Sequence, residues 1–263
     1  MKHLLTLIVG IVSYLLFLAA ALYGLSFTLG GLLPAPIVIP HAPTVLALLV
    51  DVGFIVIFGV QHSVMARSAL KKRWTTLIPP VLERSLYVLI ASCILLAMFW
   101  CWQPITGVIW QINGPPIRVI VYGVCLAGWA IVVWSTFQID HFELFGLRQA
   151  WQSLRNRPQR APAFQRPFLY RIVRHPMMDG FLLAFWATPT MTVDRLVFTV
   201  GMTIYIVVGV AFEERALRRQ FGTTYEKYQV EVPQLIPLPR KRHSDIASKL
   251  TDASSRSATD TQC

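Results

Sequence analysis

Apolar residues along this chain run in long blocks and do not alternate with polar ones. Leu4 to Leu33 carries no charged residue, and further blocks follow at about Val45 to Met65, Leu86 to Trp102 and Ile117 to Ile139. A bilayer core is crossed by roughly 20 helical residues, so each of these four blocks predicts a membrane helix. After a long polar stretch come two shorter blocks, Gly180 to Val193 and Leu196 to Phe212, with only Thr192 to Arg195 between their cores. That pair predicts a tight helical hairpin. Its first member is short for a crossing and contains Pro189, so it is expected to tilt little or to stop early. The fold class expected is all-α: a polytopic transmembrane bundle of five to six membrane helices with a C-terminal helical hairpin. Residues 1–139 hold helices one to four, 140–240 a loop, the hairpin and the region after it, and 241–263 a polar, Ser/Thr/Asp-rich tail expected to be disordered.

Composition agrees with the pattern. Only 14% of the 263 residues are charged and 55% are hydrophobic, whereas a soluble domain carries about a quarter charged residues. The net charge of +11 raises nucleic acid as a partner. The basic residues, however, sit between apolar blocks, where they act as topology signals, so a bilayer is the expected partner and nucleic acid is not. Arg67, Lys71, Lys72, Arg73 and Arg84 follow block two; Arg148, Arg155, Arg157, Arg160, Arg166, Arg171 and Arg174 follow block four; Arg215 to Arg242 follow block six. The loops Pro34–Thr44 and Gln103–Pro116 carry no Lys or Arg. The positive-inside rule then predicts both termini in the cytoplasm. Block one is too long for the apolar region of a signal peptide, although Ala19–Ala21 leaves cleavage open. Cys93, Cys101, Cys125 and Cys263 have no metal-ligand spacing, and they read as small hydrophobes with no disulfide framework.

Ionisable residues at membrane depth are costly and mark candidate sites. Asp51 lies within block two and His62 near that block's basic end; Asp140–His141–Phe142–Glu143 closes block four; Arg174–His175–Pro176 precedes the hairpin and Glu213–Glu214 ends it. Each has a structural alternative. Asp51 can bond a neighbouring helix, His62 can cap helix carbonyls, and Arg174–His175 can anchor a helix that starts at a proline. Acids near a helix C-terminus oppose the helix dipole, which raises the functional weight of the glutamate pair.

Their order is more specific than any member. Arg174–His175–Pro176 and Gly180 open the hairpin, Glu213–Glu214 close it, Phe221–Gly222, Tyr225 and Tyr228 follow, and Val232–Pro233 with Leu235–Ile236–Pro237 end the run. This stretch, Tyr170 to Pro237, resembles the C-terminal half of the isoprenylcysteine carboxyl methyltransferase-like membrane methyltransferases. Gln61–His62–Ser63 through Arg67 and His141 through Gln149 make the chain look like the bacterial methanethiol S-methyltransferases and, less closely, the related NnrU-like membrane proteins.

The resemblance implies methyl transfer from S-adenosyl-L-methionine at the cytosolic face of the membrane, with residues 140–240 holding the cofactor-binding region. It places the cofactor on Tyr170, on the motif Arg174, His175, Pro176, Met177 and Met178, and on Glu213. No metal is implied. Two departures matter. Met178 stands where the commonest motif has tyrosine, and Gly209 stands where the prenylcysteine enzymes carry an arginine for a carboxylate substrate. A small uncharged thiol needs no such anchor, so methanethiol, giving dimethyl sulfide, is the expected acceptor. The thiolate is the nucleophile. His141 is the first candidate for the base, with Asp140 or Glu143 to orient it, and His62 is the second, as base or relay. A lipid or isoprenoid acceptor and a non-catalytic NnrU-like protein are the competing readings. Oligomeric state is not legible.

Overall fold

In the computed structural model, residues 2–33, 43–67, 73, 76–155, 157 and 164–237 are described; the tail 241–263 lies outside them. The first four apolar blocks become α1 (Lys2–Thr28), α2 (Thr44–Met65), α3 (Glu83–Trp100) and α4 (Pro115–Ile139). Two short helices follow, α5 (His141–Leu144) and α6 (Leu147–Leu154), and then α7 (Pro176–Trp186), α8 (Val193–Phe221) and α9 (Thr223–Glu231). Among the described residues five helices are long and apolar enough to cross a membrane, namely α1, α2, α3 with the turn before it, α4 and α8. Only 17–28% of the most apolar stretch of each is buried in protein. Leu15, Val56, Ile120 and Ile204 all stand exposed on the outside. Water would not tolerate so large an apolar exterior; lipid does, and the chain is an integral membrane protein.

The hairpin is asymmetric. α7 has 11 residues and reaches roughly 17 Å at 1.5 Å per residue, about half of a bilayer core. α8 has 29 residues and crosses fully. A small antiparallel ribbon joins the two at the end opposite the basic loops. There β2 (Thr190–Thr192) pairs with β1 (Val108–Gln111), Thr190 facing Gln111 and Thr192 facing Val108. Strands this short carry no readable alternation, which is why the sequence does not announce them. Asp51 lies toward the same end, fully buried, and its Oδ1 accepts the Gln103 backbone N–H at 2.9 Å. It ties down the loop after α3.

Two contacts set the positions that matter for chemistry. α4 and α7 pack at backbone distance: a Cβ built on Gly128 would lie 2.6 Å from the Gly180 carbonyl oxygen, and one on Gly180 would lie 2.6 Å from that of Gly128. Small residues at a helix crossing allow this approach, and it fixes where α7 begins. At the end of α4 the chain turns through Asp140, the only described non-glycine residue with positive φ (91°). The Asp140 carboxylate offsets that strain by accepting the Glu143 N–H at 3.2 Å and by pairing with Arg148. The turn folds His141 back against the last turns of α4.

Candidate active site

The entrance to α7 is built on a buried ion pair. Arg174 is 8% exposed and Glu214 is 7% exposed. The guanidinium donates from Nε to Glu214 Oε1 at 2.7 Å, with Nη2 2.6 Å from the same oxygen. Nη1 bonds the Gln229 carbonyl at 3.1 Å and that of Val232. The other Glu214 oxygen accepts Gln229 Nε2 at 2.8 Å, and Oε1 also lies 3.2 Å from His175 Nε2. Backbone bonds continue the clasp: Arg174 N–H reaches the Pro233 carbonyl at 2.9 Å and His175 N–H that of Gln234 at 3.2 Å. The segment after α9 is thus laced to the start of α7, and buried charge is tolerated because each polar atom has a partner.

Glu213 is different. Its side chain is 50% exposed and touches the clasp only through Oε2, 3.6 Å from His175 Nδ1. One residue of helix rotates a side chain by about 100°, so one glutamate of the pair locks the fold while the other faces open space. That space is a cavity of ≈ 780 Å³ between the ends of α4 and α8, the 3-10 turn Phe168–Arg171, α7 and α9. Its wall includes Tyr170, Arg174, His175, Met177, Met178, Glu213 and His141. Pro176 lies beneath the wall, fully buried as the first residue of α7. His62 does not line the cavity.

Aromatic and polar groups complete it. Phe164 packs against Tyr225, Tyr228 and Phe221. Tyr228 donates its hydroxyl to the Tyr170 carbonyl at 2.6 Å. Burial raises the pKa of Tyr170, with the Glu213 charge adding to it, and pushes Tyr228 up to about 12, so both phenols stay neutral. Gln138 accepts the Leu169 N–H at 2.9 Å through Oε1, which leaves its buried Nε2 without a partner; the buried Tyr225 hydroxyl has none either. Both residues line the cavity.

His141 is buried, stacked on Phe137 at 4.3 Å, and both ring nitrogens are engaged. Nδ1 is 2.7 Å from Thr136 Oγ1 and Nε2 is 2.8 Å from the Tyr14 hydroxyl. Thr136 spends its own hydrogen on the Val133 carbonyl at 2.7 Å. The proton between Thr136 and the ring therefore belongs to His141 Nδ1, and Nε2 accepts from Tyr14. Burial lowers the His141 pKa, against an opposing pull from Asp140. The orienting groups are Tyr14 and Thr136, not Asp140 or Glu143 as expected: Asp140 is committed to Arg148 and the α5 cap. Tyr14 lies 127 residues away on α1, and nothing local in the sequence points to it. Tyr225 and Tyr228 stood in the motif run without a role; Gln138 and Gln229 gave no signal. Among the described residues no three His, Cys, Asp or Glu side chains gather as a metal site would need.

Comparison with known proteins adds a family. Residues 51–238 match the model of the NnrU protein family. The methanethiol S-methyltransferase of Mycobacterium tuberculosis is 46% identical over 244 residues, covering 92% of this chain and 99% of that protein. Methanethiol S-methyltransferase 2 of Bradyrhizobium diazoefficiens is 46% identical over 246 residues, covering 92% and 94%. The enzyme of that name from Pseudomonas deceptionensis is 47% identical over 202 residues, 77% of each chain. No solved structure matches.

Proposed function

This chain belongs to the NnrU protein family, and from that premise we propose that it is a membrane S-methyltransferase that converts methanethiol to dimethyl sulfide with S-adenosyl-L-methionine. The observation that carries the cofactor assignment is the donor set of the cavity: one half-exposed carboxylate, two unpartnered buried polar groups and a ring-lined wall. The volume lies within the range of small-molecule sites, about 300–1,000 Å³. Glu213 accepts bonds from hydroxyls or an ammonium, and Gln138 Nε2 donates to a carboxylate or ring nitrogen. The rings of Phe164, Tyr170 and Tyr225 suit a positively charged sulfur. Bound there, the cofactor supplies an electrophilic methyl group on a sulfonium.

The residues divide into those that touch the cofactor and those that hold them in place. Tyr170, His175, Met177, Met178 and Glu213 contact it. Arg174 acts through Glu214, keeping His175 and Glu213 side by side, and Pro176 sets the first turn of α7. Met178 provides thioether packing in place of a tyrosine hydroxyl. His141 closes the wall as a neutral imidazole whose Nε2 lone pair already accepts from Tyr14, which suits it to shaping the site. The charge of the loops supports a cytoplasmic placement of both termini and the bacterial relatives support an inner-membrane location; the cavity then opens to the cytosol.

Purified protein in lipid nanodiscs, given methyl-labelled cofactor and methanethiol, should release labelled dimethyl sulfide into the headspace. Cofactor binding by calorimetry with no volatile product would refute the acceptor. Absence of cofactor binding would refute the methyltransferase reading itself.

A further inference from the structure

Deeper in the bundle, away from the cavity wall, a second histidine sits among rings. His62 lies with its ring centroid 4.8 Å from Tyr87, 5.3 Å from Phe58 and 5.9 Å from Tyr205. Its Nδ1 is buried and has no hydrogen-bond partner. A histidine kept for structure engages its nitrogens, as His141 does, because an unpaired buried nitrogen is costly. None of the cage residues lines the cavity, but two links join them. Tyr205, Gly209 and Glu213 are spaced by four and share one face of α8, so the cage stands about two turns below the carboxylate. Between them, a Cβ built on Gly209 would meet nothing within 4 Å. Leu144 and Met178, both on the cavity wall, pack against the clusters that contain Tyr87 and Phe58 respectively.

We infer that this cage is the thiol-binding subsite and that His62 Nδ1 takes the thiol proton, an inference that rests on the methyltransferase reading above. The cage has the chemistry of its ligand: apolar rings for a methyl group and an unpartnered ring nitrogen for an S–H, with clearance around Gly209 on the helix face that leads to Glu213. In the step, the S–H bond breaks and the proton moves to Nδ1; the electron pair left on sulfur would form the new S–CH3 bond as the methyl's bond to the sulfonium breaks, its electrons leaving the cofactor as a neutral thioether. The imidazolium that results lies beside the tilted rings of Tyr87 and Phe58. Arg84, whose guanidinium lies over the Tyr87 ring at 5.4 Å, disfavours that charge, so the proton does not stay on the ring.

Three measurements on full-length protein in nanodiscs test this: methanethiol turnover against pH, cofactor affinity by calorimetry, and magnetisation transfer from protein ring protons to methanethiol without cofactor. His62→Asn should lower kcat about 10²- to 10⁴-fold, leave cofactor affinity within about twofold, and regain rate as pH rises and the thiol ionises unaided. Gly209→Leu, whose Cβ would meet nothing within 4 Å, should raise the methanethiol KM at least about tenfold and abolish the magnetisation transfer. Unchanged kcat in His62→Asn, a loss that high pH does not repair, or transfer that persists in Gly209→Leu would overturn the inference. A wild type that binds cofactor but is inactive on methanethiol overturns the thiol reading and this inference with it. An active wild type matched by both variants overturns this inference alone.

Discussion

Replacing Glu214 with alanine would strip the counterion from a guanidinium that is 8% exposed. Arg174 would keep the Gln229 and Val232 carbonyls but no negative charge, and Gln229 Nε2 and His175 Nε2 would lose their shared acceptor. Breaking one side of a buried pair costs about 3–5 kcal/mol. For a chain of this size each kcal/mol moves the melting temperature by about 2–4 °C, so a fall of roughly 6–20 °C is expected. Replacing the adjacent Glu213 should do the reverse. Its side chain is half exposed and makes one 3.6 Å contact, so the stability change is below about 1 kcal/mol. Losing a hydrogen bond to a charged group weakens binding by about 1.5–3 kcal/mol, roughly 10- to 100-fold in cofactor Kd. The assay is thermal unfolding of both variants in one detergent, with cofactor calorimetry well below the melting point. Equal melting temperatures for the two variants, or full cofactor affinity in Glu213→Ala, would refute the division of labour between the two glutamates.

Three further outcomes follow from the geometry. Gly180→Leu should fail to give a monodisperse folded protein by fluorescence-detected size exclusion, because its Cβ would meet the Gly128 carbonyl at 2.6 Å and backbone cannot yield as a side chain can. His141 has a lowered pKa, so its contribution to stability is complete above the ordinary imidazole value near 6.5 and is lost as pH falls through the depressed one. The melting temperature should therefore drop on acidification below about pH 6.5, and His141→Gln should flatten that drop; an equally steep drop in the variant would remove His141 as its source. Asp51→Asn keeps an acceptor for the Gln103 N–H and should melt within a few degrees of wild type. Asp51→Leu removes the acceptor that the Gln103 N–H uses and should cost about 1–3 kcal/mol, with cofactor affinity unchanged in both.

The shortness of α7 joins the fold to the site. Because it stops about halfway, its N-terminus, with Arg174 and His175, reaches the ends of α4 and α8 while its C-terminus runs into the ribbon with β1. The Gly128–Gly180 contact sets its height. The short block with Pro189 was legible as an early stop. Its partner across the turn was not, since Val108 to Gln111 gains strand geometry only by meeting Thr190 to Thr192.

What the sequence determined by itself was whatever is additive along the chain. The spans are sums of transfer free energy over about 20 neighbours, the one-sided Lys and Arg distribution is a count per loop, and the motif from Tyr170 to Pro237 is a local spacing. Tertiary structure alone decided how side chains face. Whether Glu213 or Glu214 opens to the cavity depends on the rotation of α8 about its axis. Whether His141 keeps a free lone pair depends on Tyr14, 127 residues away on α1, and on where Thr136 sends its hydrogen. His62, alike in sequence as a histidine near a helix end, is set apart because the rings of three helices close over its Nδ1 without bonding it. Hydropathy survives any rotation of a helix, whereas hydrogen bonds act over about 3 Å and exist only once packing has fixed that rotation.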